Sequence, residues 1–161
     1  MTPAFFCSNA CPAEVILKVQ DWANSRTLES EVVIGGFHTP VERDAMRIML
    51  RSRAPLIYVL GRALVGSRIS ASLKEAALLG HAKLLSPFDD AVGRTTARTA
   101  EMRNSYILTL CDRVLFAHAS PRSKTEALAL EAKTMGLPIF TLPSPANSNL
   151  LDLGAEILPE Q

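Results

Sequence analysis

Short runs of apolar, β-branched or aromatic residues recur along this chain, each separated from the next by a longer stretch with helical periodicity. That alternation admits few architectures, because a strand followed repeatedly by a helix builds stacked βα units around a parallel sheet. The predicted strands cover residues 4–7, 31–34, 56–60, 83–86, 113–118, 138–142 and a terminal 155–158. Most are apolar on both faces, as strands covered by helices on both sides must be. Helix starts are legible too. Thr39-Pro40-Val41-Glu42, Ser72-Leu73-Lys74-Glu75 and Ser123-Lys124-Thr125-Glu126 each read as a capping box, the first with proline at its opening position. Pro12 opens another predicted helix to about residue 29, and a further one spans about 95–111. Gly80, Gly136 and Gly154 stand where helix ends take a left-handed residue. No repeat or linker interrupts the pattern, so one α/β domain over 1–161 is expected, with a mostly parallel sheet of six or seven strands.

Composition narrows the function. At 161 residues with 48% apolar side chains, folding removes roughly 70% of the accessible surface of the unfolded chain. A core therefore forms without disulfides or structural metals. Seventeen Lys and Arg, most of them arginine, face sixteen Asp and Glu, for a net charge of +1. No bulk field drives sequence-blind adhesion to nucleic acid, so any such site must be a local patch. Cys7, Cys11 and Cys111 show no paired ligand spacing, and His38, His81 and His118 are scattered, which argues against a metal site and for a reducing compartment. The first residues lack the cationic start of a signal peptide, and no run reaches the roughly 20 apolar residues of a membrane span. A cytoplasmic protein without a membrane partner is expected, and nothing in the sequence calls for a cofactor.

The ligand edge of a parallel sheet lies at the C-terminal ends of its strands. Four distant segments land there: Cys7-Ser8-Asn9, Gly35-Gly36-Phe37-His38, Arg103-Asn104 and Ser123-Lys124-Thr125-Glu126. Gly35-Gly36 lies between a strand and a capped helix, where it either presents N–H groups to an anion or makes a tight turn with positive φ. On the wheel of the 95–111 helix, Ala97, Ala100, Ile107, Leu108 and Cys111 form an apolar stripe, with Asn104 in its middle and Arg103 at its margin. A buried amide must find a partner, either backbone or a ligand phosphate or ribose assisted by Arg103. The first-turn N–H groups of the Ser123 helix, the Ser123 and Thr125 hydroxyls and the Lys124 ammonium are suited to phosphate. Glu126 is a weak catalytic candidate and otherwise a capping residue. Ser8 and Asn9 close the pocket from below, and Cys7 and Ser8 read as strand end and turn. Phe37, Tyr58 and Phe88 are the candidate stackers for bases.

Taken in order, Arg103-Asn104 through Ala119, Ser123-Lys-Thr-Glu, Gly136-Leu-Pro-Ile-Phe-Thr-Leu-Pro143 and Asn147-Ser-Asn149 through Gly154-Ala155 resemble the Rossmann-like domain of the DNA-processing protein A family, also called Smf. Cys7-Ser-Asn-Ala-Cys11-Pro12 and Gly35-Gly36-Phe37-His38-Thr39-Pro40-Val-Glu42 look like a short, stand-alone branch of it. The resemblance implies a Rossmann-like three-layer α/β/α sandwich. It also implies binding of single-stranded DNA or a phosphate-bearing nucleotide, a place in DNA uptake or recombination, and self-association. Trp22 and the Met46–Met49 stretch would supply apolar surface for a homodimer. The wider superfamily includes the lysine-decarboxylase-like phosphoribohydrolases, which implies hydrolysis of a nucleoside 5′-monophosphate as the alternative, or a nucleotide sensor without turnover. Here Pro121-Arg122-Ser123-Lys124 replaces the double glycine of the hydrolases, and Glu126 directly follows Thr125. That places the carboxylate about 200° away around the helix.

Overall fold

A computed structural model of the protein describes residues 1–160. β1 (Pro3–Cys7) leads into α1 (Ala13–Asn24), β2 (Val33–Gly35) into α2 (Pro40–Ser52), and β3 (Leu56–Val59) into α3 (Ala71–Leu79). β4 (Ala82–Leu85) then leads into α4 (Ala97–Leu108), β5 (Arg113–His118) into α5 (Lys124–Thr134), and β6 (Ile139–Thr141) through a 3-10 turn (Pro145–Asn147) into α6 (Ser148–Asp152) and β7 (Glu156–Ile157). The strands form one sheet in the order β4-β3-β2-β1-β5-β6-β7, and every pairing is parallel. The predicted strands thus all form, with ends displaced by a residue or two.

The two faces of β1 show how the layers assemble. Phe5 and Cys7 face one way, packing with Val15, Val19 and Trp22 of α1, Val41, Ala45 and Met49 of α2, and Leu73 of α3. Ala4 and Phe6 face the other, among Ile107 and Leu108 of α4, Leu128, Ala129 and Ala132 of α5, and Leu150 of α6. Each large aliphatic or aromatic side chain buried this way contributes roughly 1.5–3 kcal/mol. Trp22 stacks on Phe5 with ring centroids 4.8 Å apart, and it is only 8% exposed; Met49 is fully buried. The apolar dimer surface expected at Trp22 and Met46–Met49 is therefore largely core.

Several element ends differ from expectation for local reasons. α1 stops at Asn24 rather than near 29, because the Ser30 hydroxyl accepts from Thr27 N–H and the Arg26 guanidinium donates to the Glu31 carbonyl. Such side chain–backbone bonds compete with helix continuation. α3 is capped by Ser70, whose hydroxyl accepts from Leu73 N–H, and not by Ser72. Gly80, Gly136 and Gly154 do take positive φ.

α1, α2 and α3 lie on one side and α4, α5 and α6 on the other, so the chain changes direction between β1 and β5, at the centre of the sheet. In open α/β sheets the crevice beside that reversal is the customary ligand position. Here it is irregular as well: the register of β1 against β5 slips between Phe6 and Cys7, so that Cys7 sits opposite His118. A bulge of this kind re-aims side chains at the rim of a sheet.

Candidate functional site at the C-terminal edge of the sheet

Glu42 organises the edge from within. It is the third residue of α2, held there by the reciprocal Thr39 capping box, yet its side chain does more than cap. Oε1 accepts from His38 N–H at 2.9 Å and Thr39 N–H at 3.2 Å, while Oε2 accepts from Cys7 N–H at 2.9 Å. One carboxylate thereby ties the end of β1 to the loop after β2. Burial pushes the Glu42 carboxyl above the usual range, against the three backbone N–H donors and the nearby Arg103 charge, which pull it down.

Arg103 reaches the same loop from α4 on the opposite face. Its Nε donates to Asn104 Oδ1 at 2.7 Å and one terminal nitrogen donates to the Val59 carbonyl at 3.3 Å. The guanidinium lies flat against the backbone of Gly36: a Cβ there would stand 2.4 Å from Arg103 Cζ. Only glycine permits that approach. The wheel of α4 is thus occupied differently from the sequence expectation, because Arg103 is 3% exposed and Asn104 only half-buried. The long arginine stem can reach from the stripe to the sheet edge and place its head on the Val59 carbonyl, whereas the short amide stays at the side and orients it. Burial lowers the Arg103 pKa, and Glu42 and Tyr58 oppose that shift. Desolvation, with Arg103 and Arg43 nearby, also lowers that of His38.

The Gly35-Gly36 turn is made without positive φ at either glycine. Phe37 carries it instead, at φ 44°, with its ring buried and stacked 6.1 Å from Tyr58. A left-handed aromatic residue stores on the order of 1–3 kcal/mol of strain, and such positions concentrate at ligand sites. Phe37 is consequently not free to stack on a base, while Tyr58 and Phe88 are half-buried.

Beyond β1, Ser8 N–H donates to the His118 carbonyl, the Ser8 hydroxyl accepts from Ser120 N–H, and the Ser120 hydroxyl donates to the Ala10 carbonyl. Ser8 therefore closes the floor as structure, and Asn9 is exposed above it. Ser123 N–H donates to the Ser120 carbonyl, and its hydroxyl caps α5 by accepting from Glu126 N–H. The predicted capping box is incomplete: Glu126 Oε1 accepts from Arg122 N–H, not Ser123 N–H, and Oε2 accepts from Asn149 Nδ2. Those two bonds hold the Glu126 carboxyl below its ordinary range. Lys124 pairs with Glu101 of α4 at 3.2 Å. All four sequence segments thus meet along one edge: hydrogen bonds through Glu42 and Ser120 link His38 to Cys7 and Ser8 to Ser123, and Arg103 joins them by its close contact with Gly36.

Sequence reasoning missed the buried anchor beside this edge. His118 Nδ1 bonds Asn147 Oδ1 at 2.8 Å, and Asn147 Nδ2 donates to the Ala117 and Leu142 carbonyls. The signal was available as an asparagine that opens the short helix α6. The loops after β3 and β4 leave the same edge and bring exposed Arg68 and Arg94, while the start of α4 brings Arg98. Concavities of about 300, 570 and 640 Å³ are lined by none of the ligand-binding residues expected from sequence, although Trp22 borders the last. Among the described residues no group of three or more His, Cys, Asp or Glu is arranged to hold a metal ion, and no helix is long and apolar enough to cross a membrane.

No family model matches the chain, and no curated protein matches it. Solved structures do. DNA processing protein A from Streptococcus pneumoniae superposes with a TM-score of 0.77 at 20% identity, over 98% of this chain and 58% of that one. The Helicobacter pylori protein of the same name, described for its unique single-stranded DNA binding mode, gives 0.76 at 16% identity, over 97% of this chain and 74% of its own. A molybdenum cofactor binding protein from Rippkaea orientalis follows at 0.66 and 13% identity, over 98% of this chain and 88% of its own. The chain thus spans little more than half the length of the pneumococcal protein, and over nearly all of its own length it carries the fold of DNA processing protein A.

Proposed function

We propose that this chain binds single-stranded DNA along the C-terminal edge of its sheet. The observation that carries the reading is the seating of the Arg103 guanidinium against Gly36, as a fixed positive charge behind a strained turn at the ligand edge of the sheet. Arg103 is too buried to clamp a phosphate broadside; it acts as a fixed charge under the turn. Exposed Arg68, Arg94, Arg98, Arg122 and Lys124 rim the same edge and are placed to follow a phosphate backbone. The structural likeness to a protein described for binding single-stranded DNA supports the choice of polymer. Hydrolysis is less well supported, because both candidate carboxylates are engaged. Glu42 holds three backbone N–H groups, and Glu126 holds Arg122 N–H and the Asn149 amide. A role in DNA uptake and a homodimer belong to the same proposal.

A thermal-shift panel tests it, with short single-stranded oligonucleotides and nucleoside 5′-monophosphates at two salt concentrations. A ligand that binds only the folded state at a hundredfold excess over Kd stabilises it by about 2.7 kcal/mol. Stabilisation by oligonucleotide that fades with salt is the expected result. Stabilisation by monophosphate alone would transfer the site to a mononucleotide.

A further inference from the structure

Helices α2 and α3 both end at the N-terminal edge of the sheet, where β3 and β4 begin, at the far end of the strands from the site described above. Each closes in the same way. In α2, Arg53 N–H donates to the Leu50 carbonyl and Ala54 N–H to the Met49 carbonyl; in α3, Gly80 N–H donates to the Ala77 carbonyl and His81 N–H to the Ala76 carbonyl. That pattern calls for a left-handed residue followed by an apolar one that packs on the preceding turn. α3 meets the first requirement with Gly80, whereas α2 puts Arg53 there at φ 59°, where glycine carries no steric cost. α2 meets the second with buried Ala54, whereas α3 puts His81 there, only 9% exposed. The two caps thus break the rule at different positions.

Both exceptions line one hollow of about 300 Å³ between the helices, together with Arg47, Arg51 and Glu75. Arg47 is paired with Asp44 at 2.7 Å, but among the described residues Arg51, Arg53 and the His81 ring have no hydrogen-bond or ion-pair partner. A cation in a last turn complements the helix dipole, which accounts for Arg51. It accounts neither for an arginine in the left-handed position nor for a buried imidazole without a partner, because buried polar groups are kept where something satisfies them. Guanidinium and imidazole N–H groups are donors, and several converging on one small concavity match the acceptor-rich oxygens of a phosphoryl group. Leu50 and Leu79 border the same hollow and offer apolar contact to a carbon skeleton.

We propose that the hollow between α2 and α3 binds a phosphoryl group, carried by a small phosphomonoester or as free phosphate, with Arg51, Arg53 and His81 as its donors. It takes no part in nucleic-acid binding at the opposite edge, so the two readings fail separately.

The chain's three histidines make native reporters. His81 lines the hollow, His38 is exposed at the candidate nucleic-acid edge, and His118 is buried against Asn147. The test follows their ring C–H signals by NMR, assigned with one His→Gln variant each, while ribose 5-phosphate, inorganic phosphate, ribose or sodium chloride is added at constant pH and ionic strength. A saturable shift of His81 with both phosphates, and none with ribose or chloride, is the expected result. Tighter binding of ribose 5-phosphate would identify the ester as the occupant, and equal affinity would identify free phosphate. Arg53→Gly removes the guanidinium at a position whose backbone suits glycine, so the fold is retained, and it is expected to weaken binding by roughly tenfold or more. A His81 signal that stays still, that moves equally with chloride, or that titrates with wild-type affinity in Arg53→Gly would overturn the proposal. So would a phosphate response confined to His38, which would place the anion at the other edge.

Discussion

Gly36 is where a single atom decides the local structure. A methyl group there would overlap the Arg103 guanidinium, which is anchored on Asn104 and Val59 and cannot retreat without losing both bonds. Gly36→Ala is expected to destabilise the fold by roughly 1–3 kcal/mol, read as a lower denaturant midpoint with an unchanged slope; a wild-type midpoint would mean that the guanidinium moves freely. Glu42 makes a prediction about pH. Its folded pKa lies above the unfolded value, so its protonation favours the folded state below the ordinary carboxylate range, and that contribution is lost as pH rises through the folded pKa. Glu126 has the opposite sign: its pKa is depressed, so its contribution is present above the unfolded pKa and lost as pH falls through the folded one. Stability measured against pH should therefore lose part of its acid decline in Glu126→Gln. In Glu42→Gln it should lose the acid-side gain that Glu42 supplies. Parallel pH profiles for wild type and both variants would contradict the assignment. The exchange of places between Arg103 and Asn104 was not legible in the sequence. A helical wheel ranks side chains by polarity, and the outcome was set by reach: only arginine spans the distance to the Val59 carbonyl.

At the scale of elements, legibility follows the range of the interaction. Thr39-Pro40-Val41-Glu42 carries its whole instruction within four residues, and the capping box forms as read. Ser72-Leu73-Lys74-Glu75 has the same pattern but loses to Ser70, two residues earlier, because the helix begins where the chain leaves the loop after β3. The two serines can be told apart by substitution. Ser70→Ala is expected to lower stability by about 1 kcal/mol, and Ser72→Ala to change it by less than about half of that; equal losses in thermal or chemical unfolding would restore the earlier cap. The ends of α1 and α4 were less legible, since the turn at Thr27–Ser30 and the reciprocal Thr96–Thr99 cap are made by hydroxyls that any helix tolerates.

At the scale of the molecule, a chain with a net charge of +1 can bind a polyanion only if its cations are placed rather than numerous. The topology places them, because every βα loop and every following helix N-terminus opens on one edge. Each phosphate neutralised along a single strand adds about 0.7 to the slope of log affinity against log salt. Replacing Arg68, Arg94, Arg122 and Lys124 together by alanine is therefore expected to weaken oligonucleotide binding and flatten that slope, with little change in melting temperature because all four are exposed. An unchanged slope would remove the rim from the account. The central claim is the location of the bound strand, and amide hydrogen exchange with and without a short single-stranded oligonucleotide tests it most directly. The account predicts protection concentrated in residues 8–11, 35–39 and 120–125. Protection confined to the arginine-lined hollow at Arg47, Arg51 and Arg53, or none at saturating oligonucleotide, would contradict it.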